Sequence, residues 1–399
     1  MSPHHHPRAE IVVDLAAIRH NVRTLRALVT AEHPTEHPTE HPAGRPVQMM
    51  TVVKADGYGH GMASVARAAR EAGADWLGVA TLDEAQTLRE SGDTGPVLCW
   101  LSVPGEDYDE AIATDVDVTA YSVEELDEIA AASEQVGYPA RVQLKVDTGL
   151  SRGGAGAADW PAVVARARRG EVEGHWRVTG IWSHLSSSDV PDDPANANQE
   201  KLFEEALALA AEAGLRPEVR HLANSAAAIL RPSARYDLVR CGIASYGLDP
   251  APGHTPDLGL VPAMTARATL AMVRTVEAGS SVSYGHTWTA TAPTTLGLVP
   301  VGYADGLPRS AGNRAEVAIA GRRCPVRGVI CMDQLVVDLH GDTPPPGSTV
   351  LLFGPGHDGE PTAQDWAVAA DTIVYEIVTR IGGRMTRTVI DSERPEETR

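Results

Sequence analysis

VVKADGYGHG, residues 52–61, ends an apolar run on a lysine and follows it with three glycines and a tyrosine. A strand has no structural need of a lysine at its end, and a turn rarely needs so many glycines. The run itself, MMTVVK (49–54), is the first of eight. The others are WLGVA (76–80), VLCWL (97–101), VDVTAY (116–121), VQLKVD (142–147), GIWSHL (180–185), VRHLAN (219–224) and YDLVRCGI (236–243). Stretches of helical spacing fill the gaps. MASVARAAREAG sets Val65, Ala68 and Ala69 on one side, with Gly73 as a stop. SVEELDEIAAASEQVG opens with Ser122 and Glu125 in capping-box spacing. ANQEKLFEEALALAAEAG is a further helix by its apolar period.

Repeated strand–helix alternation predicts a parallel sheet with right-handed crossovers. Eight strands suit a closed barrel over about 250 residues. An open doubly wound sheet is the alternative, but no G-x-G-x-x-G follows the first strand. Near residue 250 the pattern changes. LDPAPGHTPDLGLVPA reads as a linker, and β-type runs then dominate, from TARATLAMVRTV to STVLLFG. A short helix, TAQDWAVAADT, precedes IVYEIVTRIGGRMTR. The expected fold class is α/β: a (β/α)8 TIM-type barrel over residues 8–250, then a smaller C-terminal mainly-β domain, a barrel or sandwich, over 258–390.

A chain of 399 residues, 43% hydrophobic, has room for two such domains and a sizeable core. Thirty-four basic against 53 acidic residues give a net charge of −19. That balance argues against a nucleic-acid binder but leaves a cationic small-molecule site open. Cys99, Cys241, Cys324 and Cys331 form no C-x-x-C pair and no disulfide framework, which suits reduced thiols in the cytoplasm. No apolar stretch approaches a membrane span, and MSPHHHPRAE lacks the apolar core of a secretory signal. HPTEHPTEHPAGRP (33–46) repeats histidine every four residues, but a proline follows each one, which rules out a helix interior. A solvated, mobile insertion is expected there, with adventitious metal binding as the alternative. His4, His5 and His6 read the same way.

Polar residues interrupt the barrel strands at their C-terminal ends: Lys54, Lys145 with Asp147, His184, Asn224 with Ser225, and Arg240. In this architecture that face carries the chemistry. A lysine at a barrel mouth, among apolar residues and other cations, loses stability as an ammonium and becomes a nucleophilic amine. Such an amine can form a Schiff base with an aldehyde, and neighbouring glycines let a bulky cofactor approach the backbone.

VVKADGYGHG closely resembles the pyridoxal-phosphate lysine motif of the alanine racemases. The resemblance continues in order through LKVDTGLSRGG, IWSHLSSSD, HLANSAA, LVRCGIASYGL, SVSYGHTW, VGYADGLPR, ICMDQ and TIVYEIVTRI, and so covers nearly the whole chain. It implies a pyridoxal 5'-phosphate enzyme, a homodimer whose sites form between subunits, and interconversion of L- and D-alanine by two bases. Lys54 holds the cofactor and is one base; Tyr284 of the partner chain is the other. Tyr58, Ser225, Tyr375 and backbone groups around Gly242 and Ile243 form a phosphate cup, beside Asn224. Arg240 faces the pyridine nitrogen, with His184 and His221 behind it. Arg152 contacts the cofactor's phenolic oxygen and the substrate carboxylate. Lys145 matches a lysine that some members carry as a carbamate; the alternative is an inward lysine paired with Asp147. Tyr303 is an entrance residue, and Met332 and Asp333 close the substrate pocket from the partner chain.

Departures from the family pattern are His286 and Trp288 beside Tyr284, the insertion at 33–46, and Gly383 where relatives have proline, expected to loosen that tail. The resemblance places the product in D-alanine supply for peptidoglycan. A racemase of serine or a basic amino acid, a decarboxylase on the same barrel, and a non-enzymatic cofactor-binding protein are the other readings. Arg240 speaks against the decarboxylase, which would carry a carboxylate at the ring nitrogen. Tyr284 and the C-terminal domain speak against the binding protein.

Overall fold

The structure, a computed structural model, describes residues 7–31 and 46–392. Except for Pro46, the histidine-proline insertion lies outside the described residues, as do His4, His5 and His6. The chain divides into two compact units. One comprises Ile18–Gly57 and Gly61–Leu260; the other comprises Met1–Ala17, Tyr58–His60 and Val261–Arg399.

After an initial strand β1 (Ala9–Asp14), all eight apolar runs become parallel strands of one sheet. They are β2 (Gln48–Val52), β3 (Trp76–Val79), β4 (Val97–Cys99), β5 (Val116–Ala120), β6 (Ala140–Lys145), β7 (Trp176–Trp182), β8 (Val219–His221) and β9 (Leu238–Cys241). Their spatial order is β8-β7-β6-β5-β4-β3-β2-β9. At the β8–β9 seam Asp237 N–H donates to Arg220 O at 3.0 Å and Arg240 N–H to Ala223 O at 2.9 Å. These bonds bring the sheet to a near-closed barrel.

The crossover helices form where the apolar period requires. Met62–Glu71 buries Val65, Ala68 and Ala69. Val123–Val136 starts on Ser122, whose hydroxyl accepts the Glu125 N–H at 3.1 Å. Glu125 reaches back one residue further than the spacing suggested, accepting the Tyr121 N–H at 2.7 Å. Gly137, at φ +74°, ends this helix in the left-handed conformation that glycine adopts freely. Each large apolar side chain buried on these faces, such as Leu126 or Ile129, contributes about 1.5–3 kcal/mol. No helix among the described residues is long and apolar enough to cross a membrane.

The barrel interior is unusual in being polar along one lane. Alternation puts Arg141, Gln143 and Lys145 on one face of β6, and Asp117 and Thr119 on one face of β5. Asp117 and Gln143 are fully buried. Branched aliphatic residues usually fill these layers.

The second unit carries β10 (Met264–Thr269), β11 (Met272–Val276), β12 (Ser281–Val282), β13 (Trp288–Thr289), β14 (Thr294–Val299), β15 (Glu316–Ile319), β16 (Arg322–Arg327), β17 (Leu335–Asp338), β18 (Thr349–Phe353) and β19 (Thr386–Ile390). Apart from the hairpin β12–β13, they form one nine-stranded sheet, β11-β14-β17-β16-β15-β18-β10-β1-β19. β1 thus pairs antiparallel with β10 and parallel with β19. The barrel expected from residue 8 gathers its first strand at Gln48, because β1 finds its partners far along the chain. Helices Ala363–Ala370 and Val374–Arg380 complete the unit.

Residues Tyr58–His60 of the opening motif pack within this second unit. Arg387 Nη2 donates to Gly59 O at 3.0 Å. Gly59 has φ +80°, and a Cβ there would collide with the carbonyl oxygen of Val378. Gly92 has a similar φ of +95° but open space around it. Gly59→Ala should therefore cost about 3 kcal/mol, strain plus overpacking, and Gly92→Ala only about 1 kcal/mol. Thermal melts compare them; an equal loss at both positions would show that the close approach to Val378 is immaterial.

Candidate active site

Lys54 stands just past β2, where the chain makes one turn of left-handed helix. Ala55, Asp56, Gly57 and Tyr58 have φ of 51°, 53°, 64° and 53°. Gly57 N–H closes the turn onto Val53 O at 2.8 Å. Each L-residue in that conformation costs about 1–2 kcal/mol, so the surroundings must impose it. Glu84 accepts the Ala55 N–H at 2.7 Å, and the Asp56 carboxylate accepts the Met62 N–H at 2.9 Å. Strain held this way is typical of functional positions. The glycines of the motif serve the turn: Gly57, Gly59 and Gly61 all have positive φ.

The barrel mouth gathers four cations. Lys54 is half-buried, its Nζ 5.8 Å from the Trp100 ring centroid. Burial pulls its pKa below the ordinary lysine value; Arg152 adds to this and Glu84 opposes it. Lys145 is only 6% exposed, with its Nζ 4.5 Å from the Trp182 ring centroid and 5.8 Å from that of Tyr121. Burial, then Arg240 and Arg152, lower it to about 8. Among the described residues no ion pair joins it to Asp147. That carboxylate instead accepts the N–H groups of Gly149 at 2.8 Å and Ser151 at 3.2 Å, shaping the loop that presents the exposed Arg152.

Arg240 is buried on β9 and held on every side. It donates to Ser183 O at 2.8 Å and Leu222 O at 3.0 Å, and to the Nδ1 atoms of His221 at 3.0 Å and His184 at 3.1 Å. Burial lowers its pKa to about 9, so it stays cationic at neutral pH. Burial and then Arg240 push both histidines well below their ordinary range. Neutral imidazoles are what an acceptor Nδ1 requires.

Beneath this cluster lies Trp182, which the sequence reading passed over. Its ring stacks on His221 at 5.5 Å between centroids and 7° between planes, and the Arg240 guanidinium lies 4.8 Å from its centroid. The same ring thus serves two cations, Arg240 and Lys145. The inward Asp117 and Gln143 were passed over as well. The signal for them was polar alternation inside VDVTAY and VQLKVD rather than at strand ends.

Ser225 Oγ accepts the N–H groups of Gly242 at 2.9 Å and Ala244 at 3.4 Å. This joins the HLANSAA turn to the start of the turn Ile243–Tyr246. The Asn224 side chain is committed to local structure, accepting the Ala227 N–H at 3.1 Å and bonding Ser188.

In the second unit the Tyr58 and Tyr375 rings lie 6.2 Å apart. Tyr284, Tyr303 and Met332 are exposed, at 74%, 41% and 53%. The segments carrying them are tied together. Tyr303 and Ala304 N–H groups donate to Cys331 O and Met332 O, at 3.1 and 3.0 Å. Ser283 Oγ donates to Val329 O at 2.8 Å. Asp305, fully buried, accepts a bidentate pair of bonds from Arg384, both at 3.0 Å, and Arg384 also bonds Asp333 at 2.6 Å. His286 is exposed, and Trp288 is half-buried under Arg327. Gly383 does not loosen its tail. At φ +57° it takes a conformation closed to proline, and a Cβ would strike the carbonyl oxygen of Ala304.

Comparison with known proteins finds one family along nearly the whole chain. The model of the alanine racemase N-terminal domain matches residues 13–250, and that of the C-terminal domain residues 263–389. The chain is 49% identical over 388 residues to an alanine racemase of Salinispora arenicola, covering 97% of this chain and 100% of the relative. It is 51% identical over 379 residues to one of Thermobifida fusca, covering 95% and 97%. Among solved structures, alanine racemase from D-cycloserine producing Streptomyces lavendulae superposes with a TM-score of 0.91 at 47% identity, covering 98% of this chain and 99% of that one. That of Streptomyces coelicolor A3(2) gives 0.91 at 49% identity, covering 96% and 98%.

The depressed Lys145 pKa has a measurable sign. Below pH 8 the amine is charged in folded and unfolded chains alike, and burying that charge destabilises the fold. Between about 8 and 10.5 only the unfolded chain holds the proton, so stability rises with pH. In carbon-dioxide-free buffer, denaturant unfolding should show this rise in the native sequence, up to about 3 kcal/mol beyond that of Lys145→Met. Parallel pH profiles for the two proteins would contradict it.

Proposed function

The chain belongs to the alanine racemase family and interconverts L- and D-alanine; we propose that it does so with pyridoxal 5'-phosphate held by Lys54 in a homodimer. The observation that carries this reading is the barrel-mouth cluster: a lysine with depressed pKa, two arginines and a second lysine, all beside neutral histidines.

The residues fit the cofactor. Ser225 Oγ, which accepts the Gly242 N–H, keeps its own hydroxyl proton to donate, and with the backbone amide at Ile243 it offers donors for a phosphate. Tyr58, four residues after Lys54, and Tyr375 add phenolic hydroxyls. Arg240 would face the pyridine nitrogen, and its permanent positive charge would disfavour protonation there. When bound, pyridoxal phosphate supplies an electron sink that stabilises the α-carbanion of the amino acid.

The protein's own groups do the rest. Arg152 orients the substrate carboxylate through its planar fork of donors. Lys145, with a depressed pKa and aromatic neighbours, is suited to reaction with carbon dioxide; as a carbamate it would carry negative charge and orient Arg152. The Lys54 amine takes or returns the α-proton on one face. The other face needs a second group, and Tyr284 of the partner subunit supplies it. A phenol 74% exposed on its own chain is available to a second copy. Tyr303, Met332 and Asp333, bound into one surface, form the entrance and restrict the pocket to a small side chain. The product D-alanine suits a cytoplasmic role in peptidoglycan supply.

Borohydride reduction of the loaded enzyme followed by peptide mapping should place the pyridoxyl group on Lys54; label on another lysine would refute the assignment. Mixing Lys54→Ala chains with Tyr284→Phe chains tests the shared site. Each variant alone should lose about 10²–10⁴-fold or more. Exchanged heterodimers should regain activity, because one of their two sites has both bases intact. If mixing restores nothing, the two bases belong to the same chain.

A further inference from the structure

Behind Arg240 a chain of hydrogen bonds runs down the barrel axis. Arg240 Nη1 donates to His221 Nδ1 at 3.0 Å. His221 Nε2 lies 2.7 Å from Gln143 Oε1. Gln143 Nε2 donates to Asp117 Oδ1 at 3.1 Å. Arg141 Nε donates to the other oxygen of Asp117 at 2.7 Å, and Thr179 Oγ1 donates to Oδ1. Asp117, Gln143 and His221 are all at 0% exposure.

The fold is shaped around this chain. Val142 pairs with Val178 but Gln143 with Gly180, so Thr179 is an extra residue in β7, a bulge that delivers its hydroxyl to Asp117. Gly180 has no side chain where one would overlap Gln143: a Cβ would lie 2.5 Å from Oε1. Trp182 stacks flat on His221 and fixes the plane of the imidazole.

Each link has only one workable polarity. Arg141 makes Asp117 an acceptor, so the Gln143 amide must turn its NH₂ towards it. Gln143 Oε1 then faces His221, and Nε2 must carry the ring proton. That leaves Nδ1 as a lone pair, the only state that can accept from Arg240. Reversing any link sets donor against donor in a dry interior, where an unmade bond is costly.

We propose that Asp117 and Gln143 are positioning residues for the racemase: they hold His221 in its Nε2–H form and thereby fix the Arg240 guanidinium at the cofactor face of the barrel. The proposal rests on the reading of Arg240 as the group at the ring nitrogen. Neither residue touches substrate or cofactor; both act through His221.

Nitrogen NMR of histidine-labelled protein reads the tautomer directly, without turnover. In the native sequence, loaded with cofactor or not, His221 should be neutral with its proton on Nε2. A proton on Nδ1, or an imidazolium, overturns the proposal without any variant. Gln143→Met keeps the volume but removes the acceptor. His221 should then lose its single tautomer, and kcat should fall roughly ten- to a hundredfold with KM nearly unchanged. A merely loosened pocket would raise KM instead. Gln143→Glu, protonated beside Asp117, offers the same donor and acceptor pattern as the amide and should restore both tautomer and rate. If Gln143→Met leaves the tautomer intact, the hydrogen-bond chain does not act as described. If the tautomer changes while kcat does not, the failure lies in the role given to Arg240, and the proposal falls with it.

Discussion

A buried guanidinium can only donate, and that single constraint sets the chemistry of the barrel. Arg240 sits in the interior with its charge intact, so every group it meets must present a lone pair. Two backbone carbonyls and two imidazole nitrogens do so. The histidines are neutral for the same reason, since a second cation there would be repelled as well as desolvated. Removing one acceptor from such a set leaves a buried charge uncompensated, which costs far more than the bond itself contributes.

The same field reaches the lysines. Lys54 and Lys145 are depressed first by burial and then by neighbouring guanidinium groups. Activation of an amine here is thus a property of the barrel mouth as a whole rather than of one partner. The aromatic rings of Trp100, Tyr121 and Trp182 line the cations without adding formal charge. They make several like charges tolerable in a small volume while leaving each amine easier to deprotonate than in water.

Much of this was legible in the sequence, for reasons that differ by residue. The eight barrel strands were readable because parallel strands buried on both faces are short continuous apolar runs. Lys54, Lys145, His184 and Arg240 stood out as polar interruptions at strand ends. Asp117 and Gln143 did not, because polar alternation within a strand does not say which face turns inward; only the partner strands decide that. The barrel region drawn from residue 8 took in β1 for a related reason. AEIVVD reads like any other strand, and the pairing that assigns it lies with residues 264–269 and 386–390. Gly383 was misjudged because a glycine demanded by close approach looks the same in sequence as one that confers freedom.

That pairing of β1 bears on how the chain is made. β1 leaves the ribosome with its antiparallel partner about 250 residues behind it and its parallel partner about 375 behind. At typical synthesis rates of about 5–20 residues per second, the wait for the first partner is roughly 10–50 s. During that time the whole barrel can emerge and fold, while an apolar strand edge stays unsatisfied. The nascent chain therefore carries an exposed, pairing-competent segment through most of translation, a natural point for chaperone engagement or for mispairing with another copy. The C-terminal sheet is complete only when the last strand arrives, so truncation late in the chain would also strand the N-terminus.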